Sequence, residues 1–251
     1  MKPNILTIDI ETSPIIARVW GLWDNNVALN QIVEDWKIIS FAAKWLDDPK
    51  VVQMDTEKHT EKVLVKALRA LLDTADIVIG QNSKKFDIKK INAKIHEYGL
   101  KPPSSFQQID IMQLAKKNFA FTSNKLEYVT KKFNKKYTKQ THGKFPGQEL
   151  WNECLAGNKA AWKEMRKYNI YDVLATEERY KGIAPWGTGI NFNAYYGDED
   201  AVCSCGCKEF QKNGYAYTAN GKYQRYYCKD CWAELRSRQN LNKNKLTPTK
   251  R

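Results

Sequence analysis

The chain contains no run approaching about 20 apolar residues, and no apolar segment ahead of a cleavage site opens it. A membrane span and a secretory leader are therefore not expected, and the expected location is the cytoplasm. No internal repeat is visible, which sets aside solenoids and propellers. Acidic residues are in deficit. Against 41 Lys and Arg stand 28 Asp and Glu, a formal net charge of +13 with a pI near 9.3. Such a balance favours a polyanionic partner, because attraction to phosphates is readily built from Lys and Arg. Cysteine is scarce for most of the length: Cys154 stands alone, and Cys203, Cys205, Cys207, Cys228 and Cys231 cluster late. In a reducing compartment that cluster points to metal ligation before disulfides.

What is present supports a folded protein. With 251 residues, 42% hydrophobic content and eight Trp, the chain can bury a sizeable core and carry one medium domain plus a small module. Residues 4–11 alternate and are rich in Ile, and Thr12-Ser13-Pro14 ends the strand. "IIARVWGLW" and "WKIISFAAKWL" predict two further strands, and "VVQMD" an extension of the same sheet. Val63, Leu64, Ala67, Leu68, Leu71 and Leu72 form a helical stripe; "ADIVIG" is a short buried strand. Ile88, Ile91, Ile95 and Tyr98 share one face of a helix stopped by Gly99, and "FQQIDIM" suits another strand. Helices with a Lys-rich connector, "KKFNKKYTKQTHGK", follow to about Tyr180. Meandering strands followed by β–α–β predict an α/β fold, a mixed sheet flanked by helices.

Within the first strand Asp9 and Glu11 interrupt an apolar pattern. Residues i and i+2 of a strand project from one face, under about 7 Å apart. Two carboxylates so placed repel strongly unless a cation lies between them; the bland alternative is an acid pair on the wet face of an edge strand. A second D-x-E, Asp55 and Glu57, serves as a control: it stands where a strand gives way to a helix, and acids favouring a helix N-terminus suffice there. Asp87 opens a helix after the strand at "DIVIG", at a sheet end where ligands gather, although an N-cap role would also explain it. Tyr168 and Asp172, at i and i+4, share a helix face. Asp110 reads as a structural acid at a strand end, and His142 as a solvated histidine.

Asp9-x-Glu11, then Asn82-x-x-x-Phe86-Asp87, then Tyr168-x-x-x-Asp172, in this order and at these intervals, resemble the three motifs of DEDD-type 3′–5′ exonucleases of the ribonuclease H-like superfamily. Tyr168 matches the tyrosine (DEDDy) subclass. "IDIMQLAKK", "SNKLEYV" and "YDVLATEERY" are similar to the stand-alone phage and prokaryotic domains related to family-B DNA polymerase proofreading, over roughly residues 4–186. The resemblance implies a ribonuclease H-like fold and two Mg²⁺ or Mn²⁺ ions held by Asp9, Glu11, Asp87 and Asp172. In it Asp9 bridges both ions, Glu11 and Asp172 hold the ion bearing the nucleophile, and Asp87 supports the second. Tyr168 orients the attacking water, and Asn82 and Phe86 line the site. It further implies stepwise release of nucleoside monophosphates from single-stranded 3′ ends, DNA first, in a host cytoplasm if the gene is phage-borne. A ribonuclease or structure-selective nuclease with the same site, and a non-catalytic nucleic-acid-binding adaptor, are the alternatives. Phosphate contacts are expected from the lysine run Lys131, Lys132, Lys135, Lys136, Lys139 and Lys144, above all Lys132 and Lys136.

"CSCGC" and "CKDC" are spaced like the knuckles of a zinc ribbon, and Asn220-Gly221 between them signals a hairpin. The expected structural zinc ligands are Cys203, Cys205, Cys228 and Cys231, with Cys207 in reserve; Trp232 stands where glycine is common. From Ala201 to Arg251 there are 11 Lys and Arg against 3 Asp and Glu, +8 of the +13. Tyrosines interleave with these cations, and Tyr223 and Arg225 are expected to touch nucleic acid. The expected boundaries are 1–186 for the nuclease-like domain, 187–200 for a linker, 201–235 for the ribbon and 236–251 for a basic tail.

Overall fold

The computed structural model describes residues 2–140, 143–196 and 201–242. His142 and parts of the expected linker (197–200) and tail (243–251) lie outside the described residues. The chain divides into two compact units, Asn4–Arg179 and Tyr180–Arg251 together with Met1–Pro3.

The first unit is built on a five-stranded sheet. Its strands are β1 (Ile5–Thr12), β4 (Ile38–Trp45), β5 (Val51–Asp55), β6 (Ile77–Gly80) and β7 (Gln107–Asp110), in the spatial order β5-β4-β1-β6-β7. β5, β4 and β1 form an antiparallel meander; β6 and β7 then add in parallel to β1. Parallel additions need crossovers, supplied by α1 (Glu61–Thr74) and α2 (Asp87–Glu97). This is the mixed α/β sheet with flanking helices that the pattern of elements predicts. Leu6, Ile8 and Ile10 of β1 point into one apolar core with Leu64, Leu68 and Leu72 of α1 and Ile88, Ile91 and Ile95 of α2. Each such side chain, fully withdrawn from water, contributes roughly 1.5–3 kcal/mol.

The opposite face of β1 carries Thr7, Asp9 and Glu11, and their register partners on β4 are Lys44, Ala42 and Ser40. This polar row lies under α6 (Lys159–Ile183), the longest helix. Ser40 donates to Asn169 Oδ1 at 2.9 Å, and Lys44 meets Glu177 at 2.5 Å. α6 therefore buries polar as well as apolar side chains, and no single apolar stripe marks it. Preceding it come α3 (Ile111–Asn118), α4 (Leu126–Phe133) and α5 (Glu149–Leu155).

Two expectations need correction. In "IIARVWGLW" only Ile16–Ala17 (β2) is extended. It pairs with Ile32–Glu34 (β3) in a separate two-stranded hairpin that never joins the main sheet. The run is apolar, yet Gly21 and Asp24-Asn25-Asn26 end its pairing, and Trp20, Leu22 and Trp23 stay in solvent. Nor do Asp55 and Glu57 serve the start of α1. That helix begins at Glu61 after Thr60, and both acids instead bind Arg166 of α6, at 3.0 and 2.6 Å.

The second unit contains a short helix α7 (Asn193–Tyr196) and a three-stranded antiparallel sheet. Its strands are β8 (Phe210–Thr218), β9 (Gly221–Cys228) and β10 (Glu234–Asn240), with β9 in the centre. β10 runs past residue 235, where the ribbon was expected to end, because the free edge of β9 offers it backbone partners from Glu234 to Asn240.

Candidate metal-dependent active site

Strand β1 and helix α6 bring three carboxylates together. One oxygen each from Asp9, Glu11 and Asp172 lies within 4.8 Å of the others. The period of two in β1 puts Asp9 and Glu11 side by side, and α6 crossing the same face supplies Asp172, which is buried. The fourth expected acid stands apart from this trio. Asp87 Oδ1 accepts the Ile10 N–H at 3.0 Å. The pairing of β1 with β6 ends at Thr7, so beyond it this backbone donor needs another partner, and the first residue of α2 supplies one.

Burial, first, and then the charges of Glu11, Asp172 and Asp87 hold the Asp9 carboxyl well above the usual carboxylate range, against the pull of Lys139. Burial and the neighbouring Asp172 push Glu11 up to about 8, with Lys139 and a hydrogen bond from Trp151 opposing. Asp87 rises to about 7, chiefly from burial. Three acids this close, with Asp87 adding to the field at Asp9 and Glu11, cannot all ionise without added positive charge.

One source of that charge comes from the lysine-rich connector, which is pinned in place. The backbone N–H groups of Lys135, Lys136 and Tyr137 converge on the Glu178 carboxylate at 2.6–3.0 Å, and Asn134 Nδ2 donates to Ala175 O. The connector thus delivers Lys139, whose ammonium donates to Asp172 Oδ2 at 2.9 Å and stands 4.8 Å from the centroid of the Tyr168 ring. Burial opposes the charged ammonium, but Asp172 and Tyr168 outweigh it and raise its pKa. Tyr168 is itself buried; desolvation and the adjoining Asp172 and Glu11 hold its hydroxyl protonated, above its ordinary range. Its ring packs edge-on against Trp151, centroids 6.1 Å apart. Beside it opens a cavity of about 280 Å³ lined by Glu127, Lys139, Gln140, Pro146 and Tyr168 among others.

Sequence reasoning missed three members of this site. Asn169, fully buried, donates from Nδ2 to Asp9 Oδ2 at 2.7 Å and accepts from Ser40, so it orients the bridging candidate Asp9. Trp151 orients Glu11. Lys139 was grouped with phosphate-gripping lysines and instead faces the acids. Asn169, one residue after Tyr168 and three before Asp172, was the only one with a visible signal, an amide that is costly to bury unless hydrogen-bonded.

The remaining expectations divide. Asn82 has a left-handed backbone (φ 61°), and its N–H donates to Asp110 Oδ1. Asp110 also caps α3 through Met112 N and Gln113 N, a structural role. Phe86 is 39% exposed, so it is not a core residue, and the Lys90 ammonium stands 5.8 Å from its ring centroid. Lys132 lies by Tyr128 and Phe133, Lys136 over Tyr137, both exposed and bonded to none of the four acids.

In the second unit the thiols of Cys203, Cys205, Cys228 and Cys231 lie within 4.8 Å of one another. Cys207 lies outside this set; it interacts with Cys228, and its sulfur engages the backbone of Glu209. Burial works against ionisation of Cys228, but the N–H groups of Cys231 and Asp230 bring its thiol down to about 7. Trp232 adopts φ 61°, the left-handed turn that glycine usually provides in such a knuckle. Four thiols in tetrahedral reach could hold a zinc ion. Arg225 is already engaged: its Nε donates to Asn213 O at 2.9 Å, and Nη1 lies 3.7 Å from Glu234.

The sequence signature of the RNase H superfamily matches residues 35–183, more than half of the chain. No curated protein matches in sequence. Among solved structures, the family B DNA polymerase from the hyperthermophilic archaeon Pyrobaculum calidifontis superposes with a TM-score of 0.52 and 14% identity. The match covers 73% of this chain and 25% of the polymerase, a likeness of fold over a quarter of that protein's length. No helix among the described residues is long and apolar enough to cross a membrane.

Proposed function

Because the chain belongs to the RNase H superfamily, we propose that the acidic cluster on β1 and α6 is the active site of a divalent-metal-dependent 3′–5′ exonuclease acting on single-stranded ends, DNA in the first instance. The observation that carries this reading is the convergence of Asp9, Glu11 and Asp172 within 4.8 Å, with Tyr168 one helical turn from Asp172. The donor set is all carboxylate oxygen, hard ligands suited to Mg²⁺ or Mn²⁺, and the raised acids need the positive charge such ions bring. Asp9, Glu11 and Asp172 would hold the metal, and Asp87 would contribute to a second position. Divalent ions bound there would neutralise charge on the scissile phosphate and make a water a competent nucleophile near neutral pH.

The chain's own residues have definite tasks in this scheme. Asn169 and Trp151 hold Asp9 and Glu11 in orientation. Tyr168, kept protonated, donates or accepts a hydrogen bond at the attacking water and does not act as a base. Lys139 balances the charge of the carboxylates from the cavity side, through its ammonium on Asp172. The four-cysteine cluster takes a structural zinc, closed to catalysis by its full set of thiolates.

The test uses 5′- and 3′-labelled DNA and RNA oligonucleotides with Mg²⁺, with Mn²⁺, or without either, beside Asp9→Ala. Metal-dependent stepwise shortening from the 3′ end that is lost in Asp9→Ala supports the reading. Internal cuts, or undiminished activity in the variant, would refute it.

A further inference from the structure

Away from its cysteine end, where Phe210, Cys228 and Leu235 pack together, the C-terminal sheet buries little, and its register sorts its side chains onto two unlike faces. Residues paired across strands share a face. Tyr217 pairs with Lys222, Tyr215 with Gln224 and Lys212 with Tyr226, so these six stand together. The other face holds Tyr223, Arg225 and Tyr227 of β9 with Glu234 and Arg236 of β10. The only acidic side chain in the three strands, Glu234, is on this second face, where it sits 3.7 Å from Arg225. Arg236 there covers the Tyr223 ring at 4.5 Å. The second face therefore carries an acid beside Arg225, which offsets its positive charge.

The first face is free of acid and more open. Tyr217 is 73% and Tyr215 42% exposed. They stand two residues apart on β8, hence under about 7 Å along one face. The Lys222 ammonium lies 3.9 Å from the Tyr215 centroid and 5.9 Å from that of Tyr217, which fixes both rings beside a positive charge. Exposed aromatic rings interleaved with cations, without acid, complement a flexible polyanion whose bases have free π-faces.

We propose that single-stranded nucleic acid lies on the Tyr215–Tyr217–Lys222 face, bases stacked on the two tyrosines and phosphates against Lys212 and Lys222, and that the Tyr223–Arg225 face does not bind it. This deepens the nuclease reading and takes from it the identity of the ligand as nucleic acid. Stacking tolerates any base and either sugar, so DNA and RNA single strands share the site, and a rigid duplex, whose bases are already stacked, does not.

The test is fluorescence anisotropy on the full chain in an Asp9→Asn background, without added Mg²⁺ or Mn²⁺, using labelled dT30, rU30 and a 30-base-pair duplex over a salt series. Tyr217→Ala should weaken binding to both single strands about tenfold, while Tyr217→Phe stays within about twofold. Lys222→Gln should reduce the slope of log K against log salt by about 0.7, as expected for one phosphate contact on a single strand. Tyr223→Ala should bind within about twofold of its parent. Zinc content and melting temperature, unchanged across the set, exclude misfolding; Tyr217 is exposed, so its replacement leaves the ribbon folded. Parental affinity in Tyr217→Ala, a Tyr223→Ala loss as large as that of Tyr217→Ala, or preference for the duplex overturns the face assignment while leaving the cleavage assay untouched. A parent that does not bind single strands, together with a wild-type chain that does not shorten them in Mg²⁺, overturns both readings.

Discussion

Lys139→Met tests the electrostatic balance of the site directly. The substitution keeps an unbranched side chain of similar reach and removes the ammonium that donates to Asp172 at 2.9 Å. Truncating one partner of a fully buried ion pair costs roughly 3–5 kcal/mol. Here the Asp172 side chain is 3% exposed but that of Lys139 is 29%, so water already reaches the cation. The carboxylates can also relieve the loss by binding a proton, since burial and Asp172 push the neighbouring Glu11 up to about 8. Both effects pull the expected cost down to about 2 kcal/mol, or roughly 4–8 °C in melting temperature for a chain of this size. The measurement is thermal unfolding at pH 7.5 in buffer free of Mg²⁺ and Mn²⁺, then with millimolar Mn²⁺, for wild type, Lys139→Met, Asp172→Asn and the double variant. The deficit of Lys139→Met should shrink in Mn²⁺, which replaces the missing charge, and at pH 5.5, where the acids carry protons. It should nearly vanish in the Asp172→Asn background. A deficit of the same size in all four settings would show that Lys139 acts by packing its loop and would refute the charge argument.

Three other outcomes follow from the structure. Glu11 and Asp87 move from ordinary values of 4.5 and 3.8 to about 8 and about 7, so the metal-free native state holds protons that the unfolded chain has released. Stability should therefore fall as pH rises from about 4 to about 8, and saturating Mn²⁺ should flatten the slope; a metal-free melting temperature that rises across this window would contradict it. A Cβ at Gly80 would lie 2.5 Å from Ser83 Cβ and 3.3 Å from Ile8 O, so Gly80→Ala should cost about 1–3 kcal/mol by overpacking, read from chemical denaturation. Cys205→Ser should lose bound zinc by elemental analysis, and Cys207→Ser should keep it; equal zinc in both would reject the ligand set.

Much of the site was legible because it rests on local geometry. Alternation in β1 places Asp9 and Glu11 on one face whatever the rest of the chain does, and one helical turn does the same for Tyr168 and Asp172. Apolar spacing likewise foretold α1 and α2. The expected strand at "IIARVWGLW" shrank to Ile16–Ala17 because apolar, β-branched composition records what could pair, not whether a neighbour is present; beyond β3, Arg18 to Trp23 have no strand beside them. The same blindness to partners led Asp55 to be read as a helix-end acid, although Arg166, 111 residues later, holds it.

By itself the sequence determined the period of each element, and hence which side chains share a face: the acid pair on β1, the Tyr168–Asp172 pair on α6, and the two cysteine knuckles. Only the tertiary structure decided what those faces meet. It left Asp87 on the Ile10 N–H outside the close trio, set Asn169 against Asp9, and turned Lys139 from a solvated run toward Asp172 by anchoring its loop to Glu178. Periodicity is a property of consecutive residues and survives in any window of the chain. Charge compensation in a buried site depends on distances between residues far apart in the chain, and those exist only once the sheet and α6 have closed over each other.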